Sequence, residues 1–239
     1  MLAAFTSGDL YLSIETSGPC GSVAIAAGSR VLARAALDSQ IRHSADLIPQ
    51  IGATLDQAGV DRSDLKGVVV GSGPGSFTGV RVAAATGKGI AHALNLPMWA
   101  FSSLEAGAVA EWVPPQAPPT DPLRYVLFDA RGDRVYAACY RVAADSVEER
   151  MAPYATRIGA LLASEIPPLA AFVGDGAARH EVLLRKEGHR VLPPPAGVPT
   201  ADGLLHLLAL RPRSAPVSRV DRWEPGYVKG SSAERARVG

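Results

Sequence analysis

The stretch Leu10-Tyr-Leu-Ser-Ile-Glu15-Thr-Ser-Gly-Pro-Cys-Gly21-Ser-Val-Ala-Ile-Ala-Ala27, followed by Val31–Leu37, decides the fold. Leu10–Glu15, Ser22–Ala27 and Val31–Leu37 are apolar, partly β-branched runs of strand length. They are separated by the turn cluster 16–21 and by Gly28-Ser29, which predicts three consecutive antiparallel strands. The period then changes. Leu47, Ile48, Ile51, Leu55 and Ala58 recur at helical spacing, with Ser44 placed to cap and Gly59 to stop. Gly67–Gly71 is a short Val-rich strand, Thr78–Leu94 a helix ended by Asn95 and Pro97, Met98–Phe101 a strand and Ser103–Trp112 a helix. The first half therefore reads βββαβαβα.

Residues 113–122 hold five prolines in ten positions, the composition of a stiff linker. Beyond it the order repeats without sequence similarity. Strands are expected at Arg124–Phe128, Arg134–Tyr140 and Arg150–Tyr154, then a helix at Arg157–Glu165. A strand at Ala170–Gly174, a helix at Ala177–Lys186, a short strand at Arg190–Leu192 and a helix at Ala201–Leu210 complete the second half. Two βββαβαβα lobes in one chain predict an α/β protein of actin-like, ribonuclease H-like architecture. The lobes are expected over 1–112 and 123–228, with a polar, mobile tail over 229–239.

Composition narrows the function. The chain has 239 residues, 47% hydrophobic and 20% charged, enough to bury a core without staples. Its 24 Lys+Arg nearly balance 23 Asp+Glu, so avid nucleic-acid binding by the chain alone is not expected. Two cysteines make no disulfide framework, and neither a signal peptide nor an 18-residue apolar window is visible. A cytoplasmic protein without membrane contact is the expectation.

The sharpest motif is Gly71-Ser-Gly-Pro-Gly-Ser-Phe-Thr-Gly79, between a strand and a helix. Gly73 and Gly75 permit a tight turn, Ser76 and Thr78 offer hydroxyls, and Thr78 is placed to cap. Backbone N–H groups at such a helix start suit an anion. Neither the Gly-Lys-Ser/Thr of a P-loop nor the third glycine of a dinucleotide fingerprint is present, and an unliganded tight turn fits as well. Arg81 sits where the helix dipole disfavours a cation, so an acidic partner is expected. Glu15, Thr16 and Ser17, at the end of the first strand, suit either a hydrated metal with nucleotide or an ordinary polar turn. Asp129, Asp133 and Asp175 read as turn residues or paired acids. The five histidines form no His-x-x-x-His pair, no Gly-x-Ser-x-Gly elbow occurs, and no metal site is expected.

The helix 78–94 is rich in Gly and Ala, each interior glycine costing roughly 1 kcal/mol relative to Ala. Val80, Ala83, Gly87, Ile90 and Leu94 line one face. Close approach of another backbone explains them, either the chain's own sheet or a partner's helices.

These residues resemble a known family. Leu10–Ser17 with Ser22–Ile25, His43-Ser44 with Leu47–Pro49, Gly73–Arg81 through Pro97, and Asp129-Ala-Arg131 together are similar to the TsaB (YeaZ) family. The similarity is dense over 10–140. Val173–Gly176 and Glu224–Tyr227 are weaker echoes, and Glu15 stands where the family usually has Asp. The resemblance implies a non-catalytic subunit that dimerises with the catalytic paralogue TsaD, with the ATPase TsaE joining. That assembly places threonylcarbamoyl on N6 of the adenosine beside the tRNA anticodon. The interface would be a four-helix bundle contributed by Leu47, Ile48, Ile51 and Leu55 together with the glycine-rich helix. tRNA would be met only through the complex, no cofactor would be required although weak nucleotide binding is possible, and a homodimer would form when the chain is alone. The paralogue's two metal-binding histidines correspond to a position within Phe101–Ala106, which holds none. The competing expectations are an enzyme of the same fold, either a glycoprotease-like peptidase or a phosphotransferase, and a homodimeric binding module.

Overall fold

The computed structural model describes residues 8–37, 43–110, 123–167 and 169–226. The expected linker over 113–122 and the tail over 229–239 lie outside them. The first sheet comprises β1 (Leu10–Glu15), β2 (Gly21–Ala27), β3 (Arg30–Leu37), β4 (Leu65–Gly71) and β5 (Met98–Phe101), in the order β3-β2-β1-β4-β5. β1 pairs antiparallel with β2 and parallel with β4. The helices are α1 (His43–Ala58), α2 (Phe77–Ala93) and α3 (Ser103–Val109). The second sheet comprises β6 (Leu123–Asp129), β7 (Arg134–Ala143), β8 (Ser146–Arg157), β9 (Ala171–Val173) and β10 (Arg190–Val191), in the order β10-β9-β6-β7-β8. Its helices are α4 (Ile158–Leu162), α5 (Asp175–Arg179), α6 (Glu181–Lys186) and α7 (Ala201–Leu210). Strand order and connectivity repeat between the sheets, as the element order predicts.

Several boundaries differ from expectation. The helix α1 begins at His43, so Ser44, placed to cap it, falls inside, and α4 ends at Leu162, short of the expected Glu165. The third strand of the second sheet is twelve residues long, because β8 pairs with β7 along its whole length. The single helix expected over 177–186 is two, α5 and α6, broken where His180 leaves helical geometry (φ −104°, ψ 18°). The expected stops hold: Gly59 follows α1 at φ 65° and Asn95 follows α2 at φ 53°, left-handed conformations that end a helix.

The layering places everything that follows. Leu12, Ile14, Val23 and Ile25 point to the outer face of the first sheet, against Leu47 and Ile51 of α1 and Ala83 of α2. Tyr11, Ala24, Ala26, Val69 and Trp99 point to the inner face. There they share one core with α3, α7 and Val126, Phe128, Ala138 and Tyr140 of the second sheet. Strands buried on both faces read as unbroken apolar runs. Although α7 comes last in the second repeat, it packs on β1, β2 and β4 of the first sheet. The inner layer therefore belongs to both lobes, with Ala201 N donating to Ser22 Oγ at 2.9 Å.

Candidate functional site

The β1–β2 turn and the glycine-rich β4–α2 loop meet at the mouth of the interlobe cleft and are stitched together. Thr16 Oγ1 donates to Gly79 O at 2.6 Å, and Ser76 N donates to Ser17 O at 2.8 Å. A Cβ on Gly75 (φ 155°) would stand 2.5 Å from Ser17 O, and one on Gly79 would overlap Thr16 O. These glycines let two backbones touch. Gly73 N reaches Ser103 Oγ at 3.2 Å, tying the loop to α3. Ser76, not Thr78, caps α2: its Oγ accepts from Gly79 N at 3.3 Å and the helix begins at Phe77, leaving Thr78 exposed in the first turn. Arg81 holds its guanidinium 4.2 Å from the centroid of the Phe77 ring. A π face stabilises a cation there despite the helix dipole.

Glu15 is fully buried at the end of β1. Its carboxylate accepts from Ser17 N at 2.7 Å and from Ser103 Oγ at 2.9 Å. Burial pushes its pKa up from the ordinary carboxylate range, and the Ser17, Ser103 and Thr16 donors partly reverse that. A Cβ on Gly71 would fall on this carboxylate, so the glycine makes room for the acid. Glu15 thus joins β1, the loop start and α3.

The cleft itself has a volume of about 740 Å³. One wall is Ser17–Pro19 with Gly75–Gly79, the other Phe128–Arg131, Tyr136 and Asp175. Ser17 lines it with its Oγ buried. Asp129 and Asp175 do adjoin: Asp129 N donates to Asp175 Oδ1 at 3.2 Å, and burial raises the Asp175 pKa. Asp129 also serves its turn, accepting from Arg131 N at 2.8 Å, and pairs with Arg179 at 3.1 Å. Asp133 is drawn away to Arg157 at 3.0 Å. Among the described residues no three His, Cys, Asp or Glu side chains gather as a metal site.

The predicted interface residues divide. Leu47, Ile51, Val80, Ala83 and Gly87 are buried in the chain's own core. A Cβ on Gly87 would run into Val70 Cγ1 of β4, so the close approach that this glycine serves is to the chain's own sheet. Leu55, Ile90 and Leu94 are half-buried against the same core. Only Ile48, 55% exposed, faces outward as an apolar side chain. The exposed positions of the helix pair include Ile48, Gly52 and Ala53 of α1 and Phe77 (57% exposed), Arg81, Ala85 and Gly89 of α2, the last four in one stripe at spacing of four. Gly52 and Gly89 have open space where a Cβ would be.

Residues 211–226 have a role that the sequence reading did not assign. From α7 they return along the first lobe as a strap. Arg211 pairs with Glu105 and lies over Phe101, Trp99 Nε1 donates to Ser214 O at 3.0 Å, and Val217 N donates to Met98 O at 2.8 Å. Lys88 Nζ of α2 donates to the carbonyls of Asp221 and Trp223, and Gly226 N to Ser72 O at 3.2 Å. Val217, Val220 and Trp223 cover Val68, Val70, Ala91 and Met98, which closes the β5 edge. The apolar spacing of Val217, Val220 and Trp223 is the one trace of this in the sequence.

Two similarly connected sheets, a shared inner helix layer and two hairpin loops facing one cleft define a two-lobed actin-like α/β protein. The model of the TsaD family, tRNA N6-adenosine threonylcarbamoyltransferase, matches residues 36–189, and the chain belongs to that family. It is 32% identical over 130 residues to the tRNA threonylcarbamoyladenosine biosynthesis protein TsaB of Bacillus subtilis, covering 54% of each chain. It is 33% identical over 101 residues to the Escherichia coli protein of that name, covering 42% of this chain and 43% of that one. The aligned regions thus span about half the length of these relatives. The structure of YeaZ from Pseudomonas aeruginosa superposes with a TM-score of 0.76 at 25% identity, over 91% of this chain and all of that one.

Proposed function

We propose that the chain is a non-catalytic subunit of the machinery that makes threonylcarbamoyladenosine in tRNA. It works by presenting α1 and α2 to a larger, catalytic paralogue of the TsaD kind. The observation that carries this reading is the outward face of the helix pair, where Ile48 and Phe77 stand exposed beside small residues that let another backbone approach. Two helices from each partner make a four-helix bundle. An ATPase of the TsaE kind joins the complex, the tRNA is met through it, and the compartment is the cytoplasm.

Non-catalysis is supported by what the cleft residues already do. In Phe101–Ala106, where the paralogue has its histidines, Ser103 is committed to Glu15 and Glu105 to Arg211. The stitched loops spend on each other groups that would otherwise hold phosphate. Opposite them, Asp129 is held by Arg179 and by the Arg131 N–H, and Asp175 by the Asp129 N–H, so these carboxylates too are already engaged. Nucleotide is therefore not required, and any binding is weak. The test mixes the purified chain with the paralogue and measures the mass of the product. Wild type forms a heterodimer, whereas Gly89→Arg does not while keeping its melting transition. Unchanged assembly by that variant removes this face from the interface. Alone, the same face supports a homodimer, which the same variant converts to monomer.

A further inference from the structure

We propose that the outward face of α1 and α2 is self-complementary and takes a second copy of this chain in one register. In it α1 of each copy lies antiparallel across α2 of the other, with Ile48 over Gly89, Gly52 over Ala85 and Asp56 against Arg81. The proposal rests on the helix face put forward above and adds its orientation and pairing rule. Topology sets the orientation. β1 runs antiparallel to β2, and β2 to β3, so β3 points the same way as β1. β4 runs parallel to β1, and β5 to β4. α1 returns from β3 to β4 and α2 from β4 to β5, so both helices run in one direction over the outer face of the sheet. A two-fold axis normal to that face reverses the helices of the second copy and sets each α1 against the other α2.

Size and charge fix the register. Ile48, Gly52 and Asp56 follow one another at spacing of four along α1, as Gly89, Ala85 and Arg81 do in reverse along α2, and all six are exposed. Four residues rise about 6 Å on either helix, so the two stripes share one pitch. In the antiparallel crossing Ile48 meets Gly89, where a Cβ would find open space. Gly52, equally open, meets Ala85. The far end of each stripe joins opposite charges. α1 carries Asp46 and Asp56 and no Lys or Arg, whereas α2 carries Arg81 and Lys88 and no Asp or Glu. Lys88 is turned to the strap carbonyls, which leaves Arg81 as the cation of the stripe. Asp56 stands in the last turn of α1 and Arg81 near the start of α2, each at the helix end whose dipole disfavours its charge. Local helix physics therefore does not account for these charges, whereas an opposite charge across the two-fold axis does. Packing α1 on α1 and α2 on α2 would set acid against acid and cation against cation.

The experiment takes the charge reversals D56K and R81E in the full chain, each alone and the two mixed in equal amounts, and measures mass by sedimentation and native mass spectrometry. Each reversal places a charge that its helix dipole favours, so the melting transition is retained. Wild type is a dimer. Either variant alone opposes like charges twice per dimer, and its dimer dissociation constant rises at least about tenfold. The mixture restores opposite charges at both contacts and gives a dimer holding one copy of each variant. The inference is overturned by a wild type that stays monomeric at the highest concentration reached, or by either variant dimerising as wild type does. It is equally overturned by a mixture that stays monomeric while both variants melt normally. The partner reading fails separately: if Gly89→Arg still assembles with the paralogue, the proposed function falls, and the mixture of the two reversals still decides the register.

Discussion

Gly87 and Gly89 lie two residues apart on α2, yet they serve opposite purposes. Gly87 faces inward, where Val70 leaves no room for a methyl group. Gly89 faces outward into open space. A helix turns about 200° over two residues, so alternate small residues of one motif are split between the chain's own sheet and the solvent. A glycine-rich helix is therefore not one interface but two: a tight seam with β4, and a smooth outer surface suited to a second protein. The same division runs through α1, where Leu47 and Ile51 are core and Ile48 and Gly52 are surface.

Four substitutions or conditions would break or sharpen that contrast. The largest effect is expected for Gly87→Arg or Ala83→Glu, which force a charge into the seam with the sheet. A loss of about 3–5 kcal/mol is expected, seen as failure to fold or a collapsed thermal transition. Retention of a native transition would show that the inner seam tolerates what only the outer face should. Next is Gly71→Ala, which sets a methyl group on the Glu15 carboxylate. Overpacking of this kind costs about 1–3 kcal/mol and lowers Tm by about 2–4 °C per kcal/mol, measurable by calorimetry.

A smaller, pH-dependent effect separates the inner helix layer from the surface. Burial lowers the pKa of His206 on α7 from 6.5 to about 4. Between these values the unfolded chain binds a proton that the folded chain does not. Stability is therefore fully present above pH 6.5 and falls as pH drops toward about 4. In His206→Gln the dependence of Tm on pH over that window should flatten. A slope identical to wild type would place the acid sensitivity elsewhere. The smallest effect on stability belongs to Gly89→Arg. Replacing an exposed helical glycine leaves stability unchanged or raises it by up to about 1 kcal/mol through helix propensity, so Tm does not fall. Its consequence should appear only in association, and a large loss of Tm would mean that Gly89 is not a surface position.

Much of the molecule was legible in order. The period change from two to 3.6 located nearly every strand and helix, because strands buried on both faces and helices with one apolar stripe leave plain patterns. The repeat βββαβαβα specified the two-lobed architecture with no sequence repeat to help. The motifs Glu15–Ser17 and Gly73–Arg81 were visible as turns that either hold a ligand or hold none, and the structure brings them into contact with each other.

What spacing did not decide was identity of the neighbour. A glycine at position 75 or 79 announces close approach, but anion, partner helix and own backbone all satisfy that requirement equally. Only the meeting of Thr16 and Ser17 with the loop, across more than fifty residues of chain, assigns it. The cap fell to Ser76 and not Thr78 because Ser76 N is already held by Ser17 O, which fixes where the helix begins. The strap was hidden for the same reason. Hydrogen bonds from Val217 to Met98 and from Lys88 to Trp223 join segments remote in sequence and leave no local period. Local spacing thus determined the elements, their order and the residues able to touch. Long-range packing, which depends on which buried surfaces fit together, determined what each of them touches.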